Sequence, residues 1–262
     1  MQFDWDFFLE RLFSPGETYL WALVRTIVIA VLAQLLGVVI GFVLGFGRLS
    51  RYRLVRAACG FYVWVVRGIP ALVLLVLLFS GMAAAGLYRF EDIRLGSLVI
   101  PATVQAAIIG LGIHSGAYMA EIVRNGIQAV ARGQIEAGKS LGMSTWQIGR
   151  RIIVPQATRV IVPPLGNEFN GMIKTTSLAM VIGVQEIFLV TQTAAAATFK
   201  VFELLIVVSI TYLVVISVWN AIQGVIETKL RAHEAEVPAR SWWQAVKFYV
   251  RKPKTEMIRS RA

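Results

Sequence analysis

Four stretches of the chain run for 20 residues or more without Asp, Glu, Lys or Arg: 26–47, 68–88, 95–120 and 204–226. A fifth apolar segment, 152–173, is interrupted only by Arg159 and Glu168. A helix needs about 20 mainly apolar residues to cross a bilayer, so the pattern predicts an all-α membrane protein with five transmembrane helices. Both ends carry shorter patterns. Trp5, Phe8, Leu9, Leu12 and Phe13 recur at helical spacing and predict a short amphipathic helix along the bilayer surface. The opening "MQFDWDFFLERLF" is acidic where a cleavable signal would be basic, so no signal peptide is expected. In the tail, Trp242, Trp243, Val246, Tyr249 and Val250 fall near one face, with Lys247, Arg251 and Lys252 beside them. The expected organisation is an interfacial segment over 1–19, a five-span domain over 20–226 and a basic tail over 227–262.

Composition agrees with a membrane protein: 57% of residues are hydrophobic and 16% charged, against about 25% charged in soluble domains. The net charge of +11 would raise nucleic acid as a partner in a soluble protein. Here its placement explains it. Arg48, Arg51, Arg53, Arg56, Arg124, Arg132, Lys139, Arg150, Arg151 and the basic residues of the tail lie on one set of loops, against Arg11, Arg89, Arg94 and Lys200 on the other. Basic loops stay cytoplasmic, which predicts an outside N-terminus, a cytoplasmic C-terminus and membrane lipid, not nucleic acid, as the partner. The single cysteine, Cys59, excludes an internal disulfide, and His114 and His233 are too far apart to suggest a zinc pair. No metal site, catalytic residue or cofactor is expected in this chain.

One motif argues otherwise. "GQIEAGKS", from Gly133 to Ser140, satisfies G-x-x-x-x-G-K-[ST], the phosphate-binding loop of nucleotide hydrolases. Such a loop needs a buried strand before it and a helix after it, with backbone N–H groups turned inward. Upstream lies the end of a spanning helix; within the motif, Glu136 would repel phosphate. A magnesium-holding carboxylate at the end of an apolar strand is also lacking, since Asp4, Asp6 and Asp92 follow no such run. The motif is read as helix.

Continued, the same letters give "EAGKSLGMSTWQIGRRIIVP". A short helix from Glu136 and Ala137 should stop near Gly142, suited to the left-handed conformation at a helix end. Ser144 then offers an N-cap with Gln147 three residues on, and Pro155 falls early in the following helix, where proline is tolerated. This is a helix–Gly–helix elbow in a loop of about 30 residues, a length that usually marks a function.

The spacing E-A-x-x-x-x-G, nine residues, I-x-[LV]-P is met by Glu136, Ala137, Gly142, Ile152, Val154 and Pro155. It resembles the coupling-loop signature of permease subunits of ABC importers. "RGIPALVLLVLLF", "GAYMAEIVRNGIQAVARGQIEAGKSLGMS" and "IIVPQATRVIVPPLGNEFNGMIKTTSL" are similar to the polar amino acid uptake subfamily. Two substitutions stand out: Gly138 where the family usually has alanine, and Thr175 where it usually has an acidic residue after the lysine. The resemblance implies a bacterial inner-membrane subunit that pairs with a second permease, the same chain or a homologue. It further implies a cytoplasmic ABC ATPase dimer that docks on the elbow, and an extracytoplasmic amino-acid-binding protein that delivers substrate. ATP hydrolysis would belong to the partner. Ile135, Glu136, Ala137, Leu141, Gly142 and Met143 would carry the coupling, with Ile135, Leu141 and Met143 seated in a groove of the ATPase.

Charges inside spans are expensive and so are candidates for function. Glu168 stands beside Asn167, Asn170 and Lys174, which recur at helical spacing, followed by Thr175 and Ser177. This face would suit an amino acid's ammonium and carboxylate, or alternatively helix–helix hydrogen bonding. His114, Ser115 and Tyr118 on the third span are further pathway candidates. Glu121 is another, or else an i,i+3 partner of Arg124. Glu203 should be interfacial. A carboxylate in the pathway attracts a cationic side chain, which suggests a basic amino acid, but it would equally meet any α-ammonium. The rival reading is a secondary transporter or channel that uses these carboxylates without an ATPase. The structure of 176–198 is left open.

Overall fold

The structure, a computed structural model, describes residues 3–96 and 98–231; the amphipathic pattern at Trp242–Val250 lies outside them. Three helices are long and apolar enough to cross a membrane, and five spans result if each of two bent helix pairs counts as one. The five-span expectation is met in that form.

The centre is a pair of parallel helices, α2 (Glu17–Arg48) and α6 (Ala102–Gln128). Gly37, Gly41 and Gly45, four residues apart, form a stripe on α2 that receives Ser115, Met119 and Val123 of α6. In return Gly112 and Gly116 receive Leu36 and Ile40. A Cβ on Gly41 would overlap that of Met119. Small residues let two backbones approach and collect dispersion energy that lipid cannot match. Within this seam Gln34 is buried, donating to Met119 Sδ at 3.7 Å and accepting from Ser115 Oγ at 3.3 Å.

The second predicted span is broken. Helix α3 (Arg53–Gly68) precedes it, and the helical run that starts with α4 (Ala71–Val76) and ends with α5 (Met82–Ala84) leaves α3 at 104°. The cause is Pro70: the residue before a proline avoids helical geometry, and Ile69 is extended at φ −100°, ψ 129°. The start of the third span also needs correction. Its first residues are not helix: β1 (Ile93–Leu95) and β2 (Leu98–Ile100) pair as antiparallel strands, with Ile93 opposite Ile100. Gly96 sits at φ +62°, which glycine adopts without strain, and Pro101 then starts α6. The apolar letters on either side of Gly96 hid this strand pairing.

Beyond α6 come α7 (Arg132–Ser140), α8 (Thr145–Ile148), a π turn over Gly149–Ile153, and α9 (Val154–Thr175). Pro163 and Pro164 lie inside α9 and lack the N–H of its hydrogen-bond ladder, and α11 (Val201–Arg231) binds backbone carbonyls of the same stretch. Trp219 Nε1 donates to Gly166 O at 3.0 Å and Gln223 Nε2 to Pro163 O at 3.3 Å. Residues 176–198, unassigned from sequence, form a 3-10 helix over Thr176–Ile182, a left-handed Gly183 at φ +85°, and α10 (Ile187–Thr198). This turn packs into the main core with Ile29, Ala33, Leu75, Ala107, Leu111 and Met172.

At the hairpin end, α1 (Trp5–Phe13) is the helix expected there. Its cap Asp4 accepts from Phe7 N at 3.0 Å and from Lys200 Nζ at 2.8 Å, while Asp4 N donates to Glu203 Oε1 at 2.9 Å. The Lys200 hydrogen bond holds the Asp4 carboxyl below its usual range, and the same bond holds the Lys200 ammonium above its own. Each partner favours the other's charged form.

Candidate functional site

Two constructions stand out at the elbow end of the helices. The first is the elbow itself. All eight residues of "GQIEAGKS" lie in α7, and Ser140 Oγ donates to Glu136 O at 3.1 Å as an ordinary helical hydroxyl. Gly142, at φ +75°, ends the helix: its N–H bonds Lys139 O at 2.9 Å and the N–H of Met143 bonds Gly138 O at 3.0 Å. That pair is a Schellman closure. Ser144 and Gln147 then form the complete capping box foreseen from their spacing.

Between the arms, Gly138 is buried. A Cβ there would lie 3.0 Å from Ile152 Cδ1 and 3.3 Å from Ile148 Cγ1. Gln156 of α9 hydrogen-bonds Gln134 of α7, so the elbow is tied to the helix that follows. Glu136 and Ala137 face solvent, Ile135 and Met143 are half-buried, and Leu141 is 82% exposed. Trp146, absent from the sequence-based set, is 74% exposed beside them. Two large apolar side chains held in water on a stiff, capped turn form a surface suited to a partner's groove.

The second construction is a charge cluster on α6. The Glu121 carboxylate bonds Arg48 of α2, Arg124 at 3.1 Å and, more loosely, Arg67 of α3 at 3.5 Å. The expected Glu121–Arg124 pair is therefore present within a larger group. The Arg67 guanidinium also lies 5.0 Å from the centre of the Tyr118 ring, which in turn packs 5.1 Å from His114. Arg48, Trp64, Arg67, Tyr118 and Glu121 line a concavity of about 470 Å³.

Glu168 joins this group from α9. The positive charge of Arg67 acts on it. Arg67 was missed because it stands at the edge of the span expected over 68–88; the R-G-x-P letters that end at Pro70 were the available signal.

The remaining candidates go elsewhere. Ser115 is fully buried in the α2–α6 seam, where the glycine stripe leaves room for its hydroxyl and none for a ligand. Asn170 Nδ2 donates to Asn220 Oδ1 of α11 at 2.7 Å, and Asn167 is exposed. Lys174 and Ser177 line a separate concavity with Phe188, Ser209 and Tyr212. The Ser177 and Thr175 hydroxyls donate to backbone carbonyls one turn back, at 2.7 and 2.8 Å. The polar face read from α9 thus splits: Asn170 is held by Asn220 of α11, while Glu168 has the charge of Arg67 acting on it. Among the described residues, no group of three or more His, Cys, Asp or Glu could hold a metal ion.

Spans broken at prolines, charges gathered within the bundle and a capped elbow offered to solvent define a polytopic membrane transport subunit. The chain belongs to the family described as binding-protein-dependent transport system inner membrane component, whose model matches residues 37–232. An arginine transport system permease protein of Corynebacterium glutamicum is 40% identical over 222 residues, covering 82% of this chain and 68% of that protein. A glutamine transport system permease protein of Escherichia coli K12 is 33% identical over 234 residues, covering 88% and 99%. A crystal structure of an amino acid ABC transporter superposes with a TM-score of 0.75 at 30% identity, covering 87% of this chain and all of that one. The chain is therefore the inner-membrane, multi-pass permease subunit of an ABC importer, without a catalytic role of its own. The family implies an ATPase partner and a substrate-binding protein. A transporter or channel independent of an ATPase is not favoured.

Proposed function

We propose that this subunit carries a polar amino acid, and a cationic one by preference, across the inner membrane. It works beside a second permease subunit, the same chain or a homologue. An extracytoplasmic binding protein delivers the amino acid, and a separate cytoplasmic ATPase dimer hydrolyses ATP; the chain itself needs no cofactor. The N-terminus lies outside and the basic tail inside, with residues 1–19 at the interface, 20–226 forming the transport unit and 227–262 the cytoplasmic tail. The relatives support the cargo class, since the names of those quoted are arginine and glutamine permeases. Glu168 supports the cationic preference: it is a half-buried carboxylate on α9 within the bundle.

Coupling runs through the elbow. Ile135, Glu136, Ala137, Leu141, Gly142 and Met143, with Trp146, would seat in the ATPase, and closure of the ATPase would swing the elbow. The observation that carries this reading is the exposure of Leu141 and Trp146 on a doubly capped turn. The elbow's tie to α9 through Gln134 and Gln156 passes the motion to the helix that bears Glu168. A ligand or partner shifts an equilibrium only through contacts that differ between two states, so a loose elbow would bind without transmitting.

The test is the complete assembly in proteoliposomes, scored for ATP hydrolysis and uptake over a panel of amino acids. Gly142→Pro and Glu136→Lys should leave the permease in the membrane while uptake falls at least about tenfold per ATP hydrolysed, because the closure contacts are lost. Normal uptake in both variants would overturn the coupling assignment. Accumulation of an amino acid against its gradient by the permease alone would overturn the importer mechanism.

A further inference from the structure

The hairpin end of the molecule, away from the elbow, holds a hollow for which transport supplies no use. Helices α1, α2, α10 and α11 part there around a cavity of about 360 Å³. Val190, Ala194 and Ala197 of α10 line it with Leu204 and Val207 of α11 and Phe7 of α1. Thr191, Thr193 and Thr198 line it too, but each hydroxyl donates to a carbonyl of α10 itself, at 2.7, 2.9 and 2.8 Å. The Tyr19 hydroxyl is engaged with Thr211 at 2.8 Å. A buried water needs about two to four polar partners, and this wall offers few. A hydrocarbon chain needs none.

Arg11 lines the same hollow from α1, exposed at its rim, with the guanidinium 5.3 Å from the centre of the Phe7 ring. Among the described residues it has no ion pair or hydrogen bond. The cations of the neighbouring elements do: Lys200 holds Asp4, and Arg25 donates to Gln185 O at 2.7 Å. A guanidinium is a forked donor matched to phosphate. The same elements carry exposed aromatic rings: Trp5 and Phe13 on α1, Trp21 on α2, Phe199 and Phe202 where α10 meets α11. Aromatic residues gather where hydrocarbon meets headgroups, which sets the rim at phosphate depth. Phe199 is held out by its backbone. At φ +60° it is the one non-glycine residue in the left-handed region among the described residues, and 77% of it is exposed. A bulky residue takes that conformation only against steric cost, and this one does so next to Thr198 of the cavity wall.

We propose that this hollow binds one membrane phospholipid, with an acyl chain seated among α1, α2, α10 and α11 and its phosphate on Arg11. The occupant follows from what each part can hold: the carbon wall takes a chain, and the unpaired guanidinium at its rim selects a chain that carries phosphate. The inference uses the membrane placement of the family and is independent of which solute is carried. Helix α1 is already pinned to the start of α11, where Asp4 meets Lys200 and Glu203. The lipid adds the missing contact on its other flank, bridging α1 to α10.

The test uses the complete permease–ATPase complex, stripped of lipid in a phosphate-free detergent. Occupancy is read by native mass spectrometry during titration with dioctanoyl phosphatidylglycerol and with dioctanoylglycerol, which has the same chains and no phosphate. The wild-type complex should show one saturable phospholipid per copy of this chain. It should bind at least about fivefold tighter than the diacylglycerol, the effect of one basic residue at a lipid surface. Arg11→Gln should erase that ratio by weakening the phospholipid alone. Ala194→Phe fills the seat and should weaken both lipids at least about tenfold. Ala197→Leu, a smaller filling at an exposed position, carries this arm should the phenylalanine variant fail to assemble. Binding left unchanged by filling would be annular lipid only, and overturns the site. So does a wild-type complex with no saturable lipid, one that binds the two compounds equally, or an Arg11→Gln complex that keeps the ratio. If Ala194→Phe kept its lipid but lost stimulation by the binding protein, the hollow would belong to that protein, and the proposal would again be overturned.

Discussion

Two turns built from the same parts close the two ends of α9. At one end, α7 stops at left-handed Gly142 and α8 starts under the Ser144 cap. At the other, the 3-10 helix stops at left-handed Gly183 and α10 starts under the Glu186 cap. Each places a glycine where a side chain would be strained and an oxygen-bearing cap on the next helix. Their surroundings are opposite. Around Gly142, Leu141 and Trp146 stand in solvent; around Gly183, Ala179, Ile182, Val184 and Ile187 are buried in the main core. One turn is finished inside the chain and the other awaits a second protein. A lever needs that difference, since a turn welded into the core cannot answer to a partner and one free at both ends cannot transmit.

The caps give the largest contrast. Glu186 has no exposed surface; it accepts Leu189 N at 2.7 Å, Phe188 N at 2.9 Å and the Tyr212 hydroxyl at 3.2 Å. Glu186→Leu would leave two partly buried N–H groups and the Tyr212 hydroxyl without their acceptor, at about 1–3 kcal/mol for each group that stays unpaired, so a loss of about 3 kcal/mol is expected. Glu186→Gln, which keeps one acceptor, should lose less. Ser144→Ala removes an exposed cap, for which about 1 kcal/mol is typical, and only the elbow should loosen. Thermal unfolding of the purified subunit in detergent, followed by tryptophan fluorescence, measures both. Equal shifts in midpoint would mean that the two turns are not the different devices their burial suggests.

The glycines sharpen the same contrast by separating stability from function. A Cβ at either position costs about 1–2 kcal/mol of left-handed strain, and neither meets a neighbouring atom within 4 Å. The intrinsic penalty is thus matched. Gly183→Ala should lower the unfolding midpoint, because its turn unfolds with the core. Gly142→Ala should leave the midpoint near wild type and lower the uptake obtained per ATP hydrolysed, because its turn unravels locally. If Gly142→Ala lowered the midpoint as much as Gly183→Ala does, the elbow would be part of the core.

How much of this was legible follows from where the physics is local. Capping at Ser144 and Gln147 and termination at Gly142 are set by neighbours within a few residues, and sequence spacing gave them without tertiary help. The turn at Gly96 was equally local but was masked by apolar flanks, which length counting absorbed into a span. The stripe Gly37, Gly41, Gly45 was visible and carried the central helix contact, yet a hydropathy reading discards glycine spacing. The charge group was beyond reach for another reason: Arg48, Arg67, Glu121 and Glu168 come from four helices. Only the packing of α6 on α2, α3 and α9 and the bend at Pro70 bring them near one another. The same distance explains why the polar face of α9 was read as one surface, when Asn220 of α11 draws Asn170 away from Glu168.

The smallest effect lies inside the elbow, at the residue where this chain departs from the alanine expected there. On helix propensity alone, Gly138→Ala gains about 0.8–1 kcal/mol. Against this stand contacts at 3.0 Å to Ile152 Cδ1, 3.3 Å to Ile148 Cγ1 and 3.4 Å to Met143 Sδ. All three are side-chain atoms, two of them able to swing aside by a rotamer change, and none belongs to backbone. The gain should therefore win, leaving the elbow about 0.5 kcal/mol more stable, with slower hydrogen exchange at Leu141 and Gly142 and an unchanged global midpoint. Faster exchange at those amides would show that the two arms are packed too closely for a methyl group. Gly138 would then be a fitted part of this elbow, holding α7 against Ile148 and Ile152 at a separation that alanine forbids.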